Sequence, residues 1–330
     1  MTIPFPLLRL PRLALIPVFQ QMESIDVIAV SLLSKKVYNV SKIFRIFCSS
    51  SMNLRVESDY LYITVDLKDE KSVALCFYTE GVKNHVMTQN RSFTHENTGL
   101  TATEYVERIL DVTNCESLGK VCLYGSPQLE MCDIFARVTK IHKLIIVSGC
   151  SYNFAKKSLE ILSAVTTEIS LYIIPFENRE EFQTFLKSNL NYLNIETNTF
   201  PKFKFTLDDV LITNALKLNL KHAELNLKEL NLFFKNWMRK KCDSRLEHLI
   251  VSTSEKVNAR NLLGGLKWDP FPRDRVIWFN YSKPLDSLSG FFFGGYDIIR
   301  RADGKKATIL IEDRDRWRQR PTFISFLVWP

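Results

Sequence analysis

Few features of this chain point away from an ordinary folded protein. Only 11 glycines and 12 prolines occur in 330 residues, which excludes collagen-like and Pro/Gly-rich disordered classes. The seven cysteines (Cys48, Cys76, Cys115, Cys122, Cys132, Cys150, Cys242) are odd in number and scattered, with no C-x-x-C pair. Neither a disulfide framework nor a zinc module is expected from them, and a reducing compartment fits best. No apolar run reaches the roughly 18 residues that a bilayer crossing needs. The stretch Leu13 to Phe19 is interrupted by Pro17 and followed by Gln20-Gln21-Met22-Glu23 rather than small residues, so it does not read as a signal peptide. The expectation is a protein of the cytoplasm and/or nucleus with no membrane contact.

Catalytic signatures are missing too. The chain has no G-x-S-x-G, H-E-x-x-H, G-x-x-x-x-G-K-[ST] or G-x-G-x-x-G. Gly119-Lys120 lacks the upstream glycine of a phosphate loop, because Asn114 stands there. His85, His95, His142, His222 and His248 are isolated from one another. No catalytic residue, metal or cofactor is expected, and an enzyme is disfavoured. The net charge of +8, from 44 Lys+Arg against 36 Asp+Glu, is moderate. Basic clusters occur at Met238-Arg239-Lys240-Lys241, from Arg300-Arg301 to Lys305-Lys306, and from Arg314 to Arg320. Acids interleave in the last two and no aromatic stacking signature accompanies them, so nucleic acid is not an expected partner.

What is present is a globular composition, 46% hydrophobic and 24% charged, at a length that favours two domains or a small module on an elongated body. Over residues 1–48, Leu10, Leu13, Ala14, Val18, Phe19 and Met22 recur at helical intervals, and a second helix is expected from Ser24 or Asp26 to Lys35-Lys36. Val37 to Phe47 supplies a third segment, and Ser49-Ser50-Ser51 reads as a linker. Residues 52–98 form a second region. Its period is two from Tyr60 to Leu67, and Val73 to Tyr78 makes a partner strand, while Thr79 to Thr98 reads as a polar loop.

Residues 99–330 carry a repeat. The pattern L-x-x-L-x-L-x-x-N is met by Leu190, Leu193, Ile195 and Asn198. Looser copies begin at Leu118, Ile141, Thr166, Thr213 and Leu246, at a spacing of a leucine-rich repeat. Helical stretches fill the gaps at Tyr105 to Val112, Leu129 to Val138, Ala155 to Val165, Arg179 to Lys187 and Leu227 to Lys240. The expected fold class is α/β (α+β overall): an N-terminal helical module, then a leucine-rich-repeat-like parallel β-α solenoid body. A hairpin at Tyr296 to Leu310, turning on Asp303-Gly304, is expected to cap it. An irregular α/β domain is the competing reading. Residues beside the inward positions would line the exposed sheet: Lys120, Tyr124, Lys143, Tyr172, Tyr192, Asn194, Lys217, Asn219 and His248.

The run Phe5-Pro6-Leu7-Leu8-Arg9-Leu10-Pro11-Arg12-Leu13-Ala14-Leu15, followed by Val18-Phe19, Met22 and Ser31-Leu32-Leu33-Ser34-Lys35-Lys36, resembles an F-box. The segments Leu227 to Trp237, Leu246-Glu247-His248-Leu249 and Tyr296 to Ile309 resemble the F-box-associated domain of nematode-type F-box proteins. The resemblance implies a substrate-recognition adaptor of an SCF-type cullin ubiquitin ligase. Its F-box would dock on a Skp-type linker, and through it a cullin, while the C-terminal domain holds a protein substrate. It also implies a linker contact centred on Leu10, Pro11, Leu13, Ala14, Val18, Phe19 and Met22, with Val27, Val30 and Leu33 from the next helix. Pro17 departs from that pattern, since a proline past the first turn costs about 3 kcal/mol and bends a helix. The alternative is a leucine-rich-repeat-like interaction scaffold unconnected to ubiquitin.

Overall fold

The computed structural model describes residues 9–44, 49–67, 72–79, 83–87, 92–96, 99–136, 138–196, 205–241, 245–272, 274–288, 290–312 and 321–330. The expected repeat residue Asn198, the end of the third helical segment (45–48) and the basic run 314–320 lie outside them. Two compact units divide the chain, Met1–Thr166 and Thr167–Pro330.

The first unit begins with three helices, α1 (Arg12–Gln21), α2 (Ser24–Leu33) and α3 (Lys35–Phe44). Leu15, Phe19, Val27, Val37 and Val40 form their shared core, with Leu10, Met22 and Val30 packed against it. Pro17 sits inside α1, where it has no N–H to give to the carbonyl of Leu13, and it faces solvent. The strands β1 (Ser49–Val56), β2 (Tyr60–Leu67), β3 (Ser72–Tyr78), β4 (Lys83–Met87) and β5 (Ser92–Glu96) follow. Then come α4 (Ala102–Thr113), β6 (Leu118–Leu123), a 3-10 turn (Leu129–Phe135), β7 (Ile141–Ile146) and α5 (Tyr152–Leu162). The strand order is β5-β4-β3-β2-β1-β6-β7. β1 is antiparallel to β2 and parallel to β6, and β6 is parallel to β7.

Two expectations are corrected here. Ser49-Ser50-Ser51 opens β1 instead of forming a linker. Serine has little strand preference, but Ser49 and Ser51 pair with Leu67 and Asp66 of β2, and Ser51 Oγ donates to Asp66 Oδ2 at 2.6 Å. Within 79–98, the segments β4 and β5 are strands rather than loop. Their polar side chains suit a sheet margin: Val86 is buried, and buried Asn84 accepts the Tyr78 N–H through Oδ1 at 3.1 Å. α4 starts as the sequence dictates, with a capping box in which Thr101 Oγ1 accepts from Glu104 N and Glu104 Oε2 from Thr101 N.

The second unit contains β8 (Thr166–Leu171), α6 (Arg179–Leu186), β9 (Tyr192–Ile195), α7 (Leu207–Ile212), β10 (Lys217–Glu224), α8 (Leu227–Met238) and β11 (His248–Thr253). After these come α9 (Ala259–Leu262), β12 (Trp268–Pro270), β13 (Val276–Phe279), a 3-10 turn (Lys283–Leu288), β14 (Gly290–Phe293), β15 (Tyr296–Ile299), β16 (Lys306–Glu312) and β17 (Thr322–Val328). Its main sheet runs β8-β9-β10-β11-β17-β16-β15-β12, while β13 and β14 pair only with each other among the described residues. β8 to β11 are parallel and in chain order. The inward positions Ile169, Leu171, Leu193, Ile195, Leu218, Leu220, Leu249 and Val251 are all buried.

The copy expected to start at Thr213 is displaced by two residues. Leu218 lies opposite Leu193, so Ala215, Leu218 and Leu220 take the places assigned to Thr213, Leu216 and Leu218. A slip of two keeps the same residues on the same face, so periodicity cannot choose between the registers. The C-terminal hairpin forms as β15 and β16, with Gly304 at φ +74° in its turn. It does not cap the last parallel strand, because β17 lies between, antiparallel to both β11 and β16. The body is therefore a mixed sheet, with antiparallel strands beside the parallel ones in each unit.

The α8 face is tied to the sheet through Phe326 of β17, whose ring stands 5.2 to 5.4 Å from Phe233, Phe234 and Trp237. Phe326→Ala should cost about 3 to 5 kcal/mol, read as a lowered denaturation midpoint in urea.

Candidate functional site

The helical module rests on α4, and polar contacts fix it there. Asp111 of α4 accepts from the Tyr38 hydroxyl and from Lys42 Nζ at 2.7 Å. Arg108, one turn earlier, donates to the carbonyls of Ser31 and Leu32 at 3.3 and 3.2 Å and lies over the Tyr38 ring at 5.2 Å. These donors reach carbonyls in the last turn of α2. Burial and then the Asp111 carboxylate push the Tyr38 hydroxyl above its ordinary range. The hydrogen bond to Asp111 does the same for Lys42.

Other side chains of the module face water. Leu13 is 79% exposed and Leu33 48%, and Pro11 and Ala14 are exposed beside Leu13. Leu10, Val18, Met22 and Val30 are half-buried. Phe19 and Val27, expected at the linker contact, are wholly buried and so make the module's own core instead. The helical period places them on the apolar side, but it cannot divide that side between an internal core and an outer contact.

The residues expected to line an open sheet face separate into three groups. In the first unit, Lys120 is exposed, and Lys143 and Tyr124 are half-buried, with the Arg55 guanidinium 4.2 Å over the Tyr124 ring. In the second unit, Tyr172 is exposed and Tyr192 and Lys217 are half-buried. Asn194, Asn219 and His248 are buried, contrary to the expected exposure. For His248 the cover is the segment after β12. Tyr281 stacks on His248 at 5.7 Å and its hydroxyl meets His248 Nδ1, while Phe292 stands edge-on to the same ring at 6.0 Å.

The alternation itself is as expected. Glu168, Tyr192, Lys217 and His248 lie side by side across β8 to β11. Lys217 Nζ sits 5.6 Å above the Tyr192 ring and 5.0 Å above Tyr281, and Asn219 Nδ2 donates to the Tyr192 hydroxyl at 3.3 Å. Burial raises the hydroxyl pKa of Tyr192 and of Tyr281. The row is thus a closed stack of aromatic, cation and amide groups, with Tyr172 at an open position.

The sequence reading passed over Tyr38, Arg108 and Asp111, whose pairing joins positions 73 residues apart, and it passed over β13 and β14. The unbroken apolar run Val276-Ile277-Trp278-Phe279 was the available signal for that hairpin. Among the described residues, no three His, Cys, Asp or Glu side chains gather as a metal-holding group, and no helix is long and apolar enough to cross a membrane.

The profile of the F-box associated family matches residues 181–251, the stretch from α6 into β11. A curated protein of Caenorhabditis elegans, named F-box associated domain-containing protein sdz-33, is 22% identical over 321 residues, covering 94% of each chain. No solved structure matches the chain.

The docking of the helical module gives a test. Tyr38 and Lys42 both have raised pKa values, so their contribution is full below their ordinary values of 10.0 and 10.5 and is lost as pH climbs past the folded ones. Asp111→Ala should speed amide hydrogen exchange in α1 to α3 by roughly tenfold relative to β2 and β3. Strong alkali should have the same effect on the unaltered protein.

Proposed function

We propose that the chain is a substrate-recognition adaptor of an SCF-type cullin ubiquitin ligase. In this reading α1 to α3 are the F-box, docked on a Skp-type linker and through it on a cullin. The C-terminal unit, with its leucine-rich-repeat-like alternation of strands and helices, holds a protein target in the cytoplasm or nucleus. One conjunction carries the reading: the F-box associated match at 181–251 accompanies an N-terminal helical module that keeps Leu13 and Leu33 in water. A module of about 40 residues buries little core alone, and its free apolar side is the kind that helix-in-groove contacts cover. The chain then performs no chemistry of its own. It raises the effective concentration of the target near the ubiquitin-transfer machinery, into the millimolar range for short tethers.

Leu13→Glu combined with Leu33→Glu should weaken co-purification of the linker at least tenfold, since central anchors of an interface are worth roughly 2 kcal/mol or more. The melting temperature should not change, because both side chains face water. Removing residues 1–48 should leave target binding intact, abolish the target's ubiquitination and, on overexpression, protect the target by competition. Unchanged linker binding by the double variant, or turnover promoted by the truncated chain, overturns the reading.

A further inference from the structure

The β13–β14 hairpin is anchored by one face only. Ile277 and Phe279 point inward and are buried, and Phe279 packs with Tyr281 at 4.8 Å and Trp329 at 5.2 Å. Gly295, just beyond β14, has φ +111°, and a Cβ there would stand 2.8 Å from Leu310 Cδ2, so the chain approaches β16 where only glycine fits. Because side chains alternate, the same anchoring turns the other set outward. Val276 lies opposite Phe293 and Trp278 opposite Phe291. These four are 53%, 65%, 46% and 63% exposed. The Trp278 and Phe291 rings meet at 4.2 Å, and the indole N–H is held by Asn280 Oδ1, which leaves the outward surface apolar.

We propose that this hairpin is a docking site for an extended segment of a partner protein, alternating in apolar residues and carrying a flanking carboxylate. It rests on the adaptor reading only in identifying that partner as the target. Three observations select the occupant. A contiguous apolar patch of this kind, carrying a tryptophan, marks an interaction surface. β13 and β14 pair only with each other among the described residues, so each offers an outer edge on which an added strand can build its ladder. That edge disfavours a lipid surface, where open backbone groups lose water and gain no partner. Arg275 stands at the start of β13, over the Phe271 ring at 3.3 Å and with Asp274 beside it, while Lys283 lies four residues past the strand near Glu247, which takes the Ser282 N–H at 3.0 Å. A second copy would set Arg275 against Arg275, whereas a carboxylate on the bound segment complements it.

The test uses the full-length protein and a displayed library of short random peptides. Recovered peptides should alternate apolar residues beside an Asp or Glu flank. Trp278→Ala should weaken a synthetic peptide of the recovered sequence by about tenfold or more, and so should Phe291→Ser. Arg275→Glu should weaken it while leaving uncharged peptides unaffected. Methylating alternate backbone nitrogens of the peptide should abolish binding, which mere contact with the aromatic face would not require. A melting temperature unchanged by Trp278→Ala separates lost contact from lost fold. Recovered peptides indifferent to both aromatic variants, binding to phosphatidylserine vesicles that Trp278→Ala removes, or a dimer dissolved by Phe293→Glu would each overturn the proposal. Since the linker is absent from these measurements, failure of the adaptor reading leaves the peptide result standing, and failure here leaves linker binding untouched.

Discussion

Parallel strands joined by crossovers need cover on both faces of their sheet, and the second unit is organised around meeting that need. One face of its sheet takes α8, whose Phe233, Phe234 and Trp237 close over Phe326. The other face carries Tyr192, Lys217, Asn219 and His248, too polar for a helix to cover cheaply. The chain covers its β11 end instead with aromatic groups that have a polar handle or a flat face, Tyr281 on His248 and Phe292 across it. Leu216, Phe279, Leu285, Leu310 and Leu327 complete that second core. The buried histidine and the glycine at 295 follow from this use of the C-terminal segment as a cover.

The first unit solves a different problem. A small helical module tethered by a loose connection would sample many orientations and bind a partner at an entropic disadvantage. Here Arg108, Tyr38, Lys42 and Asp111 join it to α4, and α4 is itself set firmly by its capping box and by fully buried Tyr105, Val106 and Ile109. A partner gripping α1 to α3 therefore meets a surface held in one pose relative to the first unit's sheet. Rigidity of this kind matters to any protein that must present one bound molecule to another.

Most helices and the parallel strands were legible in the sequence because both announce themselves by period, although the short α7 was not and the stretch from Leu129 forms a 3-10 turn. Leu144, Ile146, Leu193, Ile195, Leu249 and Val251 fall where the repeat puts them, and all are buried. Strands held by backbone pairing more than by side-chain pattern were not legible, as Ser49 to Ser51 and the polar β4 and β5 demonstrate. Burial at Asn194, Asn219 and His248 was hidden for another reason. The alternation told which face they occupy, while the cover over His248 comes from Tyr281 and Phe292, far along the chain and connected to it by no local signal. For the same reason the helical pattern contained Phe19 and Leu13 alike, although one is core and the other stands in water.

β1 is the seam of the first unit, since it pairs on one side with β2, a few residues away, and on the other with β6, where Leu54 meets Val121. The two seams close at different moments of synthesis. β2 to β5 can zip onto β1 as a local meander as soon as they emerge, whereas the opposite edge of β1 waits for α4 and β6 to be made. Until then Met52, Leu54 and Val56 belong to a strand whose free edge can recruit any passing one. A ribosome stalled before Leu118 would thus carry a sticky nascent chain, and the place to cut this protein is the unit boundary after Thr166, not between β5 and β6.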